Sequence, residues 1–125
     1  TGRACQSPFE WYAHRLEAEK VGIASEVIEA LLAQQTPTNL AADEALIVAF
    51  AGELNRTNSV SDATYQQALA QWGARTVVEL TALVGYYTMV AMALNAHEFI
   101  PPKDAEHSLP DIKPAENRFT ASGDF

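Results

Sequence analysis

RTVVELTALVGYYTMVAMALNAHEFIPP, residues 75–102, is the stretch whose reading decides the fold. From Arg75 to His97 it is the most apolar part of the chain, and Pro101 and Pro102 end it because proline cannot continue a helix. Val77–Leu94 spans 18 residues, barely the length that crosses a bilayer, and it carries Glu79. A charge in so short a span predicts a helix at the centre of a core or at a subunit interface instead.

Outward from this helix, every neighbouring segment also reads as helical. Ser61 caps a fourth helix that Gly73 ends, and Val60 is placed to staple onto Tyr65. Ala42 to Thr57 forms a third, with Leu46, Ile47, Phe50 and Leu54 on the helical period. Gln34 to Asn39, with Pro37, is a loop. Ser25 caps a short second helix to about Ala33, whose Ile28, Leu31 and Leu32 share a face. The first helix opens at Ser7-Pro8-Phe9-Glu10 and stops at Gly22. Ser7 can cap it, Pro8 suits its first position, and Glu10 completes a capping box. No segment alternates as a strand does, so the predicted class is all-α, with helices over residues 1–102. Residues 103–125, with Pro110, Pro114 and Gly123, read as an extended C-terminal arm. Phe119 and Phe125 are its candidate anchors on a neighbouring subunit.

Composition narrows the function. The net charge is −8 and the eight basic residues are scattered. No basic stripe can neutralise phosphates, which argues against nucleic acid, and an acidic surface disfavours anionic membranes. Cys5 is the only cysteine, so no disulfide forms within the chain, and the first residues lack the apolar run of a signal peptide. A cytoplasmic location is expected. A chain of 125 residues buries only about two-thirds of its surface, so association would add burial.

The chemistry concentrates near the start. Glu10 and His14 stand four residues apart, on one helix face. A carboxylate beside an imidazole can tune its pKa, orient it and exchange a proton with it. The same spacing also describes a capping-box glutamate beside a surface histidine. Two ligands are too few to close a metal site, and His97 and Glu98 would add to them only if the fold brought them near. Tyr86 and Tyr87 interrupt an apolar helix with hydroxyls that need partners, at a pocket wall or in the core. Glu79 is a candidate buried carboxylate.

FEWYAHRLEAEKVGI, residues 9–23, strongly resembles the carboxymuconolactone decarboxylase family, which shares its fold with alkyl hydroperoxidase D. The resemblance lies in Phe9-Glu10-Trp11, His14, Ala18 and Gly22. RTNSVSDATYQQAL, residues 56–69, is similar to the family's turn and following helix, and VVELTALVGYYTMVAMALNAHEFIPP, residues 77–102, to its last core helix. The peroxidase branch uses a C-x-x-C pair ahead of its histidine. Ser7 and Glu10 stand where those cysteines would lie, so thiol peroxidase activity, which needs a second sulfur, is disfavoured. The resemblance implies a decarboxylase-like lyase without cofactor or metal, acting on a small molecule such as a carboxylated lactone. His14 and Glu10 would be its acid–base pair, and Ser7, Trp11, Tyr87 and Arg3 its candidate substrate contacts. It also implies a homo-oligomer, with the Val77–Leu94 helix as the available surface.

Relatives carry helical sequence ahead of the Glu-Trp motif, so the resemblance implies that residues 1–102 are the C-terminal part of the family's helical domain and that an N-terminal segment or a partner chain from the same precursor completes the bundle. Thr1 has three possible origins: removal of an initiator methionine, truncation, or internal cleavage. In the last case its hydroxyl and α-amine form the nucleophile and base of a self-processed hydrolase. A self-processed N-terminal-threonine hydrolase and a non-catalytic assembly subunit are therefore the alternative functions.

Overall fold

The computed structural model describes residues 1–103, 105 and 109. Four helices follow one another: α1 (Pro8–Lys20), α2 (Ser25–Leu32), α3 (Ala42–Thr57) and α4 (Asp62–Ala96). No strand occurs among the described residues, and the chain is an all-α bundle.

The boundaries follow local chemistry. Pro8 opens α1, Val21 closes it, and Gly22 turns the chain at φ 83°. The Ser7 backbone is extended as in an N-cap, yet its hydroxyl caps nothing and its N–H donates to the carbonyl of Gly2. Glu10 does not reach back to that N–H, so the expected capping box does not form. The second helix is capped by Ala24 and begins at Ser25, one position earlier than a Ser25 cap would set it. Between α3 and α4, Asn58 takes a left-handed conformation, and Ser61 caps α4 by accepting from the Thr64 N–H at 3.4 Å. The turn is also tied from α3: Glu53 accepts from Ser61 N–H at 2.6 Å and from the Thr64 hydroxyl at 2.7 Å. These bonds, the Ser61 backbone bond foremost, hold the Glu53 carboxyl below the usual carboxylate range.

The fourth and fifth expected helices run on as one element, α4, interrupted where the sequence placed the break. Gly73 there has φ 77° and ψ 166°. Only glycine adopts this conformation without strain. The kink lets both parts of α4 pack on α3. Ala68 precedes it and Val77 follows it, and both bury against Phe50. Leu46, Leu54, Trp72 and Leu80 surround this cluster. Beyond it, Val77, Val84 and Ala91 recur every seventh residue and form the buried stripe of α4. That stripe extends the support under α1, which packs against α4 and α2.

Glu79 is not buried. It lies on the surface in an ion pair with Arg75 at 2.8 Å. Of the expected arm, only Lys103, Ala105 and Leu109 are described, and Leu109 is buried; Phe119 and Phe125 lie outside the described residues.

A Cβ at residue 73 would meet no atom within 4 Å, so substitution there tests backbone strain alone. Gly73→Ala is expected to lower unfolding stability by roughly 1–3 kcal/mol. Urea denaturation followed by helical circular dichroism measures it, and an unchanged midpoint would contradict the assigned kink.

Candidate functional site

An amphipathic helix normally turns its apolar stripe inward. The first helix does not. Ser7, Glu10, Trp11 and His14 follow spacings of three, one and three, and so share one face. Within α1 the one fully buried residue is Glu10. Ser7, at its cap, is 0 % exposed and Glu10 is 3 % exposed. This inward face is polar and aromatic rather than aliphatic.

Four polar atoms of this face are buried and find no hydrogen-bond partner among the described residues: Ser7 Oγ, both carboxylate oxygens of Glu10, and Trp11 Nε1. Leaving one such group unpaired costs about 1–3 kcal/mol, and more for a charged one. Such atoms are satisfied by an ordered water, an ion or a ligand, or are kept for a reaction. Ser7 offers a hydroxyl donor or acceptor, Trp11 a donor, and Glu10 an acid or a base.

The carboxylate is next to the imidazole. Glu10 Oε1 lies 3.8 Å from His14 Nδ1, longer than a hydrogen bond but close enough for one to form on a small side-chain adjustment. The His14 side chain is 45 % exposed, so this histidine joins the dry interior to solvent. On its other flank, Tyr87 of α4 packs its ring edge-to-face at 4.6 Å between centroids. Tyr86 packs edge-to-face on Tyr87 and is itself exposed.

Residues 1–6 roof the carboxylate. Turn bonds from Cys5 N–H to Thr1 O, Gln6 N–H to Arg3 O and Ser7 N–H to Gly2 O fold the segment over α1. Gly2 sits so close that a Cβ on it would come within 3.3 Å of Glu10 Cγ and Oε1, and 3.2 Å of Trp11 N. Two side-chain bonds to the rest of the bundle hold this roof. Arg3 Nε donates to the Leu32 carbonyl at the end of α2 (2.8 Å), and Asn95 Nδ2 of α4 donates to the Cys5 carbonyl (2.9 Å). Asn55 Nδ2 of α3 lies 3.5 Å from Thr1 Oγ1.

Burial sets the electrostatics. Loss of hydration pushes the Glu10 pKa up, an effect the Thr1 ammonium partly opposes. Burial, and then the same ammonium, pushes the His14 pKa down. A carboxyl raised from below and an imidazole lowered from above approach each other in proton affinity. Transfer between them then costs less than between the two groups in water.

The structure thus brings together Glu10, His14, Ser7, Trp11 and Tyr87, with Thr1 at the edge of the same cluster. Arg3 does not join them through its Nε, which is committed to α2. Arg15 is drawn away by Glu19 and Glu29. Among the described residues no three His, Cys, Asp or Glu side chains gather as a metal site would require. The roof contacts of Gly2, Asn55 and Asn95 have no counterpart in local sequence pattern. Compared with known proteins, the chain matches no family model, no curated protein and no solved structure.

Because its pKa is raised by folding, Glu10 binds its proton more tightly in the native state than in the unfolded one. Its contribution to stability is therefore full at low pH and falls as pH rises from the ordinary carboxylate range through its raised value. Glu10→Gln removes that dependence. The melting temperature of the variant is expected to gain on the wild type between pH 4 and pH 8, and a constant difference across that range would contradict a desolvated Glu10.

Proposed function

We propose that the chain is an acid–base enzyme of the carboxymuconolactone decarboxylase type, a lyase that acts on a small carboxylated lactone. The observation that carries this reading is the desolvated, unpartnered Glu10 carboxyl beside a half-exposed His14. A group so placed is costly to keep unless its proton is used.

The chemistry follows from the two environments. When the carboxyl–carbon bond of the substrate breaks, CO₂ leaves and its electron pair passes into the conjugated lactone as an enolate. Carbon must then gain a proton. His14, at the edge of the site, donates from Nε2 while its Nδ1 takes the proton of Glu10. The histidine ends neutral with its proton on Nδ1; after product leaves, Nε2 takes a proton from solvent as Nδ1 returns its own to Glu10, which restores the starting state. Ser7 Oγ and Trp11 Nε1, both buried, become hydrogen-bond partners for a substrate oxygen when the roof of residues 1–6 opens, and Tyr87 packs edge-on against the imidazole.

This relay needs one proton held between Glu10 and His14. The rate falls when the pair loses it at high pH, and falls again at low pH when His14 also becomes protonated. A bell-shaped pH profile of kcat/KM is expected, with the alkaline limb altered in Glu10→Gln.

CO₂ release from a carboxylated lactone tests the reading. His14→Ala and Glu10→Gln are each expected to lower kcat/KM by roughly 10²–10⁴-fold with the fold retained. Full activity in His14→Ala would leave a non-catalytic assembly subunit as the better description. Loss of activity confined to Thr1→Ala would favour a hydroxyl nucleophile and hydrolase chemistry.

A further inference from the structure

Both Glu10 carboxylate oxygens are buried without a hydrogen-bond partner, and Oε1 lies against Gly2. Uncovering the carboxyl on this side requires residues 1–6 to move. The composition of that segment suits movement. Thr1, Gly2, Arg3, Ala4, Cys5 and Gln6 include no large apolar side chain, and Ala4 and Gln6 are exposed. Apolar burial, the usual adhesive between a segment and its core, is therefore small here.

Polar contacts take its place, and they are of two kinds. Within the segment, Cys5 N–H donates to Thr1 O and Gln6 N–H to Arg3 O. These bonds close a compact turn that can move as one body. Between the segment and the other helices the side-chain bonds are few. Arg3 Nε donates to the Leu32 carbonyl at 2.8 Å, and Asn95 Nδ2 of α4 donates to the Cys5 carbonyl at 2.9 Å. The contact of Asn55 Nδ2 with Thr1 Oγ1 is long, at 3.5 Å, and the same amide already donates to the Ala51 carbonyl at 2.7 Å. The joint to α1 is Gln6, at φ 50°, a left-handed conformation that a residue with a Cβ seldom takes. Ser7 and Pro8 follow it as the cap and first residue of a regular helix. A change at one strained residue between two rigid pieces is how a hinge works.

We propose that residues 1–6 are a lid over Glu10, hinged at Gln6 and latched by Asn95. The latch bond is exposed to solvent, so water competes for it and it opens more readily than a buried one. Opening also hydrates a carboxyl that has no partner when the lid is closed. Asn95 is thus a positioning residue. It touches the Cys5 backbone and acts on Glu10 only through the lid. It is carried by α4, the helix that also packs Tyr87 against His14. The opening itself is independent of the proposed reaction, whereas its role as the entrance for substrate rests on the acid–base reading.

Hydrogen exchange of single amides, followed by NMR on the 125-residue chain without substrate, tests the lid separately from the reaction. Ser7 N–H donates to the Gly2 carbonyl and reports opening, because that bond breaks when the lid lifts. Phe50 N–H, in the α3–α4 core, is the reference. In the wild type, Ser7 is expected to be at least tenfold less protected than Phe50 and to lack the urea dependence of global unfolding. Asn95→Ala is expected to lower Ser7 protection at least tenfold further and Phe50 protection far less. Gly2→Ala approaches from the other side. Its Cβ would come within 3.2 Å of Trp11 N and 3.3 Å of Glu10 Oε1, which wedges the lid upward and gives the same pattern. One common protection and urea dependence for Ser7 and Phe50 in the wild type would overturn the lid. So would Ser7 protection unmoved by both variants, or Phe50 protection lost in step with that of Ser7.

Discussion

Burial of the Glu10 carboxyl is the constraint on which the site depends. The first helix turns a face of serine, glutamate, tryptophan and histidine toward its own protein, and such a face gives little cohesion. Its position is therefore set by surrounding contacts: the edge-on Tyr87, the aromatic contact of Phe9 with Phe99, and the roof of residues 1–6. These contacts hold an ionisable group away from water. The approach of the Glu10 and His14 proton affinities follows from that exclusion.

The rest of the bundle supplies the rigid support. Phe50 packs against both parts of α4 across the Gly73 kink, which fixes the direction in which the apolar half of α4 leaves the core. That half has two distinct sides. One side supports α1 and orients His14 through Tyr87. The other carries exposed apolar side chains, Val78, Met89 and Met92 among them. A modest internal core and a large outward apolar face are thus two aspects of one economy in a 125-residue chain.

Much of this was legible in the residues themselves. Ser61, Gly22, Gly73 and Pro8 mark helix boundaries through capping, positive φ and fixed φ, effects that act over a few residues. The four-residue separation of Glu10 and His14 brings them onto one face wherever α1 lies. What local pattern could not decide was the direction of that face. Ser7 and Glu10 have the spacing of a capping box, and the same spacing serves a stripe turned inward; only packing against α4 distinguishes them. Glu79 shows the converse, since an acid within an apolar run suggested burial but falls on the exposed side of the helix. The Glu53 carboxylate that closes the α3–α4 turn, and the bond from Asn95 to Cys5, 90 residues away, depend on tertiary proximity.

The span of the roof contact also bears on the order in which the molecule assembles. The Phe50 cluster joins residues between Leu46 and Leu80, a short loop closure that local helix formation can accomplish early. The bond between Asn95 and Cys5 joins opposite ends of the described chain, so it can form only after α4 is in place. The roof and α1 are then the last parts to dock and the first to open, and amide hydrogens of α1 should exchange with solvent before those of α3 and the first turns of α4. Local opening of the roof would then be the route by which the Glu10 proton equilibrates with bulk water.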